Sequence, residues 1–264
     1  HDIFGYALDT VGVDVLAMES VVPVFTKGRE HVDELTNVAS KSGYSTTVVL
    51  HDAQWLGVPQ TRKRCFLVFH KIEITWTHPP FGEPMTVRKA FQKLKLRKPI
   101  YKLDLSENSW GGGAKETTRK NWVNIALAAG PGERLAAVFD RLNPNPILGN
   151  RGQILGRPGF IYARAPWDKP CGVVMQGSLL HPDEPRVLHQ DELAAICSFP
   201  KSWRWPSGVD YSAVSGYMSR GVMPPVGAWL AENVARALEK NKRLNSTGAY
   251  VLDVARPPGR YYEL

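Results

Sequence analysis

The sequence lacks most of the features that would place it at a membrane or in an oxidising compartment. No apolar run approaches the roughly 18–20 residues that span a bilayer, and no charged-then-apolar leader opens the chain. Only three cysteines occur in 264 residues, at 65, 171 and 197, and none forms a CxxC pair or has a histidine partner at ligand spacing. That scarcity excludes a disulfide framework and a structural zinc site as organising devices. In "RCFLVF", "KPCGVV" and "AAICSF" each cysteine is flanked by apolar or small residues, so all three read as buried small hydrophobes and none as a nucleophile. Internal repeats and low-complexity tracts are also missing. A phosphate-binding GxxxxGK[ST] loop is absent too, since "WGGGAKE" lacks the terminal Lys-Ser/Thr. The chain starts at His1 without a methionine, in residues that already read as an ordered element, and a missing true N-terminus is therefore expected. An intracellular, cytoplasmic protein without a metal is the corresponding expectation.

What the chain does have is positive charge on an ordinary globular background. Hydrophobic residues make up 43% and charged residues 22%, the balance of a soluble domain with a sizeable core. Thirty-three Lys plus Arg against 25 Asp plus Glu give a formal charge of +8, which favours a polyanionic partner.

Along the chain, residues 1–75 alternate between strand-like and helix-like stretches. "VDVLAMESV" (13–21) suits a buried parallel strand that ends in the polar Glu19 and Ser20. Val32, Leu35, Val38 and Ala39 recur at helical spacing before a stop at Gly43, and "STTVVLHDA" and "RCFLVFHKI" read as two further strands. Together they predict a βαβ fragment of a doubly wound α/β sheet. Residues 76–185 differ in character. Lys93 and Lys95 lie in the basic run "VRKAFQKLKLRKPIYK", Arg119 and Lys120 lie near a Gly-rich loop bracketed by Trp110 and Trp122, and Arg151 and Arg157 lie in a turn-rich stretch. Cations interleaved with aromatics can grip phosphates and wedge between bases, although the same composition also fits a solvated helix face and a flexible loop. Residues 186–242 regain helical order, with helices in "HQDELAAICSFP" and after the Pro pair of "GVMPPV". Residues 243–264 read as an appended tail.

One segment bears most directly on chemistry. In "GVPQTRKRCFLVF" (57–69), Gln60, Arg62 and Arg64 alternate, so on a strand they share a face, and they run straight into an apolar strand. Guanidinium groups offer planar bidentate hydrogen bonding, so such a row reads either as an anion or base-edge reader or as a solvated edge.

Taken in order, "MESVVPVF" (18–25), "GVPQTRKRCFLV", a basic variable region, "RVLHQDELAAICSFPKSW" (186–203) and "RGVMPPV" (220–226) resemble the DNA cytosine-5 methyltransferase family. Its motifs ENV, GVPQxRxRxxxV, RxLTxxExAxxxxFPxxW and GNxVPP follow the same sequence. Arg186, Glu192, Phe199, Pro200 and Trp203 agree with the third motif. Ser20 stands where Asn is usual, His189 where Thr is usual, and Gly221 where Asn is usual. The resemblance implies a doubly wound, Rossmann-like methyltransferase sheet, incomplete at the N-terminus, with residues 1–75 the C-terminal part of the catalytic domain, 76–185 a smaller target recognition domain and 186–242 closing motifs that return to the catalytic domain. It also implies methyl transfer from S-adenosylmethionine to C5 of a cytosine flipped out of double-stranded DNA, as in a restriction-modification system. By the same resemblance, Glu19 holds the N3 edge, Arg64 donates to O2, and Arg62 supports Glu19 or a phosphate, while Gln60 and Arg186 have supporting roles. Gly221 and Val222 are the only candidates for cofactor contact, and Lys93, Lys95, Arg119, Lys120, Arg151 and Arg157 are candidates for DNA contact. The family's FxGxG-like cofactor loop and its PCQ motif with the nucleophilic cysteine are absent from this sequence. A fragment of such an enzyme, one subunit of a split enzyme, or a non-catalytic DNA recognition subunit is therefore expected.

Overall fold

β-Branched and apolar residues dominate the stretches that form strands, and the computed structural model arranges them in a five-stranded mixed sheet and a separate two-stranded parallel ladder. It describes residues 2–105, 116–150, 153–158, 162–175 and 179–264, with the side chains of 2–3 and 116–120 excepted. The chain opens with α1 (Asp2–Gly5), a π turn at Tyr6–Val11, β1 (Val15–Ser20), α2 (Val22–Thr26) and α3 (Arg29–Lys41). There follow β2 (Ser45–Asp52), a 3-10 turn at Ala53–Leu56 and β3 (Lys63–His70). The middle carries α4 (Val87–Phe91), α5 (Glu116–Ala128), α6 (Leu135–Leu142), β4 (Ala163–Arg164), β5 (Leu179–Leu180), α7 (Gln190–Ile196) and α8 (Tyr211–Arg220). α9 (Pro224–Lys240), β6 (Ala249–Val254) and β7 (Arg260–Glu263) close it. Two compact units result. His1–Gly57, Arg62–Glu83 and Pro224–Leu264 form the first, and Val58–Thr61 with Pro84–Met223 form the second.

The first unit holds a five-stranded sheet in the order β1-β3-β2-β6-β7. β1 and β2 each pair antiparallel with β3 and so run parallel to one another, with α3 in the connection between them. The expected βαβ unit is therefore present, but a third strand of opposite direction is inserted inside it. Alternating hydrophobicity marks a strand without fixing its direction, so this insertion has no signature in the sequence. Residues 249–263 also depart from the tail read from the sequence, since β6 lies parallel beside β2 and β7 pairs antiparallel with β6.

α3 buries Val32 and Ala39 against Tyr44, Val48, Leu67, Phe69 and Val251 of the sheet. Tyr44 secures the turn between α3 and β2 by donating its hydroxyl to the Val13 carbonyl at 2.6 Å. Gly43, just before it, has a φ of +80°, a conformation in which a side chain would be strained. The apolar run of β1 predicts burial on both faces. Instead β1 is an edge strand of the described sheet, and Ala17 and Met18 are exposed. The loop after β3 is tied to α9 through Asn233, whose Oδ1 accepts from Thr77 N at 2.8 Å and Thr77 Oγ1 at 3.1 Å.

The second unit is mainly helical. Only five residues of the basic run after Val87 are helical, capped by Thr86 Oγ1 accepting from Lys89 N. α7 begins at a capping box in which His189 Nδ1 accepts from Asp191 N at 3.1 Å and Glu192 Oε2 accepts from His189 N at 2.8 Å. The same Glu192 takes a bidentate pair from Arg186, at 2.8 and 2.9 Å. Imidazole nitrogen here does the work of the hydroxyl oxygen that Thr would supply, so the departure from the family pattern at 189 leaves the cap intact.

Candidate active site

The acid identified in the sequence sits at the end of β1, and its position follows from the sheet register. Glu19 lies opposite Phe66 on β3, and Arg64, two residues earlier on β3, lies opposite His51 on β2. Residues opposite each other or two apart share a face, so Glu19, Arg64, Phe66 and His51 form one patch. Arg64 Nε stands 3.5 Å from Glu19 Oε1, with both side chains largely buried. Arg64 Nη1 also donates to the Lys63 carbonyl at 2.8 Å, which leaves the Glu19 contact as an ion pair of moderate length.

Arg62 enters from the segment just before β3. Asp52 positions its backbone by accepting from Arg62 N at 2.9 Å, while the Arg62 carbonyl accepts from Ala53 N at 3.0 Å. Asp52 is the hub of this corner. Its second oxygen takes Gln54 Nε2 at 2.8 Å, and Gly57 ends the 3-10 turn at φ +79°. The Arg62 side chain is buried, at 2% exposure. Burial therefore rules out the solvated-edge reading of this segment for Arg62.

Gln60 is placed differently from the row drawn from the sequence. It belongs to the second unit, whereas Arg62 and Arg64 belong to the first, and β3 begins only at Lys63. Fully buried, it accepts from Val174 N at 3.3 Å and donates to Cys197 Sγ at 3.6 Å. Arg186 is committed to Glu192 and Glu184 at the start of α7.

The electrostatics of the patch oppose one another. Burial pushes the Glu19 carboxyl above its ordinary value, and the positive charges of Arg64 and Arg62 pull it back without cancelling that rise. His51 is 2% exposed and stacks on Phe66 with ring centroids 5.2 Å apart. Among the described residues neither of its ring nitrogens has a hydrogen-bond partner. Burial and the two guanidinium groups push its pKa down to about 3, so it is a neutral imidazole. Sequence reasoning missed both Asp52 and His51. Asp52 was legible as a capping residue ahead of "AQWLG", whereas a lone histidine in a strand carries no comparable signal.

Cys65 donates towards the Ser20 and Val21 carbonyls at 3.6 Å, and burial and Glu19 push its thiol up to about 11. It is therefore protonated near neutral pH, in line with the reading of the cysteines as packing residues. Cys171 and Cys197 are buried as well. Among the described residues no cluster of His, Cys, Asp and Glu could hold a metal ion, and no helix is long and apolar enough to cross a membrane.

The candidate cofactor residues Gly221 and Val222 follow the end of α8. Gly221 caps α8 with its N–H donated to the Tyr217 carbonyl at 3.1 Å. A Cβ on it would meet only ordinary contacts, 3.6 Å from Tyr217 O and 3.8 Å from Phe199 Cζ. Val222 is partly exposed.

Among the DNA-contact candidates, Lys93 and Lys95 are exposed. Arg157 makes a bidentate pair with Asp140, both contacts at 2.7 Å. Arg151 and the side chains of Arg119 and Lys120 lie outside the described residues.

A mixed α/β sheet with an antiparallel strand inserted next to the acid-bearing strand fits a Rossmann-like methyltransferase fold. The family model of C-5 cytosine-specific DNA methylases matches residues 13–240. The chain belongs to the C-5 cytosine-specific DNA methylase family. The type II methylase M.HgiDII of Herpetosiphon aurantiacus is 24% identical over 252 residues, covering 89% of this chain and 68% of that protein. Two solved structures share the fold. One is a prophage-encoded protein of E. coli assigned as a DNA modification methyltransferase, with a TM-score of 0.61 and 16% identity over 88% of this chain and 72% of that one. The other is the Entamoeba histolytica methyltransferase EhMeth, with a TM-score of 0.52 and 13% identity over 89% of this chain and 68% of that one.

Proposed function

We propose that this chain is the part of a DNA cytosine-5 methyltransferase that holds and polarises a cytosine flipped out of double-stranded DNA. The observation that carries the reading is the Glu19–Arg64 pair at the end of β1, in which burial raises the carboxyl pKa although a guanidinium lies 3.5 Å away. A protonated carboxyl can donate to the N3 acceptor of cytosine, and an ionised one cannot. Arg64 donates to O2 and stabilises the negative charge that develops on the ring when a thiolate adds at C6. Arg62, buried next to the pair, favours the ionised carboxyl left once the proton has passed to N3. The target base must leave the stack, because C5 and C6 are out of reach inside a duplex. Lys93 and Lys95 contact phosphates and position the DNA without reading its sequence.

The chemistry of this family depends on S-adenosylmethionine. The FxGxG-like loop and the PCQ thiol do not occur in these 264 residues. The reading therefore requires both motifs from a further polypeptide segment, joined to this one or separate, and no step is assigned to residues of this chain on their behalf. A role in a restriction-modification system follows from the likeness to a type II methylase.

The test is methyl transfer from labelled S-adenosylmethionine to double-stranded DNA. The chain alone is compared with the chain joined to, or mixed with, a family segment that carries the two missing motifs. Label on cytosine C5 only in the completed protein, and its loss in Glu19→Gln, supports the assignment. DNA binding without transfer in any completed form would leave a non-catalytic recognition subunit, and would remove Glu19 and Arg64 from the chemistry.

A further inference from the structure

Two adjoining concavities lie in the second unit, the first bordered by Lys93 and Lys95, the lysines placed above on DNA phosphates. The first, of about 630 Å³, lies where α4 and the segment after it pack on α7, with a floor of Leu94, Ala194 and Phe199 and with Lys93, Lys95 and Lys201 on its lips. The second, of about 700 Å³, lies between the end of α7 and α8 and is walled by Phe199, Trp203, Trp205 and Tyr217. Phe199 lines both, so the lysine-bordered groove and the aromatic slot are neighbours.

The rings of the slot pack on one another in a continuous row. The Phe199 and Trp203 centroids are 4.9 Å apart and edge-on, the Trp203 and Trp205 centroids are 5.9 Å apart and edge-on, and Trp205 and Tyr217 stack at 6.3 Å. Trp203 is 40% and Tyr217 61% exposed, an unusual amount of aromatic surface to leave in water. Each acidic group at these sites already has a partner. Asp191 accepts from Arg97 N and Nε at 2.8 Å and from Nη2, and Asp210 caps α8 by accepting from Ala213 N at 2.7 Å. Four lysines, Lys89, Lys93, Lys95 and Lys201, therefore set the sign of the groove, joined at the slot by Arg204. The groove is also built at a cost in backbone conformation. Four non-glycine residues have positive φ among those described, and two of them, Lys93 at +67° and Ser198 at +55°, line this groove. Strained backbone of that kind persists where the surroundings hold it, and it gathers at functional sites.

A positive track leading to exposed aromatic faces is the composition that grips an unpaired nucleic-acid strand. Phosphates follow the cations and bases stack on the rings, whereas in a duplex the base faces are occupied by their neighbours. The geometry points to a binding track for single-stranded nucleic acid on this face, running from Lys93 and Lys95 past Phe199 to Trp203 and Tyr217. It is independent of the assignment of Glu19 and Arg64.

The test is fluorescence anisotropy of the chain with labelled oligothymidylate and oligouridylate of about twenty nucleotides, beside a duplex of equal length and across a salt series. Trp203→Ala and Tyr217→Ala are expected to weaken single-strand binding about fivefold to a hundredfold each, with Trp203→Phe restoring most of it and duplex binding unchanged. Substituting Lys93, Lys95 and Lys201 together with Gln is expected to lower the salt slope by about two. The strand is read as DNA, in keeping with the family, so tighter binding of the thymidylate is expected and tighter binding of the uridylate would overturn the assignment. Single-strand affinity unmoved by both aromatic variants, or binding of the duplex alone, would overturn the proposal. Methyl transfer lost in Glu19→Gln but retained in Tyr217→Ala would show the two sites to be separate.

Discussion

At the scale of the residue, the chemistry depends on which proton Glu19 carries. Its pKa is raised by burial, so the protonated fraction falls as pH rises through that value, and donation to N3 falls with it. In the completed enzyme, Glu19→Gln keeps an N–H donor but cannot release a proton. It is expected to lower kcat by about 10²- to 10⁴-fold with DNA affinity nearly unchanged, and single-turnover rates beside a binding isotherm read both. Loss of affinity without loss of rate would overturn the role. His51 gives a second prediction, this time on stability. Its folded pKa is depressed from 6.5 to about 3, so the neutral folded form contributes stability that is full above 6.5 and is lost as pH falls towards 3. Between pH 6.5 and 5 this one group accounts for about 2 kcal/mol. His51→Phe keeps the stack on Phe66 and is expected to remove that part of the acid slope in denaturant unfolding, while the other buried histidines keep theirs. Glu19, Arg62 and Arg64 were legible because their motifs keep fixed spacing. His51 was not, since its relation to Arg64 is a cross-strand pairing that only the register of β2 on β3 creates.

Among the elements, the start of α7 shows how a motif can be structural. Arg186 and Glu192 agree with a family pattern and His189 departs from it, and spacing alone does not tell a supporting contact near substrate from a helix cap. Their hydrogen bonds show the cap. Glu192 takes both Arg186 nitrogens and the His189 N–H, and the Arg186 and Glu192 side chains are 13% and 5% exposed. Removing one partner of a buried pair strands the other. Arg186→Gln is therefore expected to cost about 3–5 kcal/mol, and His189→Ala about 2–3 kcal/mol, because it loses both the N-cap and the bond between His189 Nε2 and the Arg97 carbonyl at 3.0 Å from a buried position. His189→Thr, which restores a hydroxyl acceptor, is expected to lie closer to the unaltered chain than His189→Ala, and chemical denaturation of the three variants orders them. The strands tell the complementary story. β2 and β3 were plain from their β-branched and apolar runs, while β6 and β7 were not, because "AYVLDV" and "RYYE" are short and are stabilised by pairing with β2 and with each other rather than by their own pattern.

For the whole molecule, a formal charge of +8 predicts attraction to a polyanion, but it does not say which cations touch it. Composition alone put Arg157 and Lys95 on the same footing. Arg157 is held by Asp140 in a bidentate pair at 2.7 Å, so its charge is locally neutralised, whereas Lys93 and Lys95 border an open groove. Every phosphate that a cation no longer neutralises should reduce the slope of log K against log salt by about 0.9 on duplex DNA. The double variant Lys93→Gln, Lys95→Gln is therefore expected to flatten the slope by nearly two, and Arg157→Gln by much less, with weakening alike on every DNA sequence because phosphates carry no sequence information. Binding isotherms over a salt series on two unrelated duplexes decide the matter. An unchanged slope in the lysine variant would make that run a solvated face, and weakening confined to one duplex would mean that the lysines read bases instead of backbone.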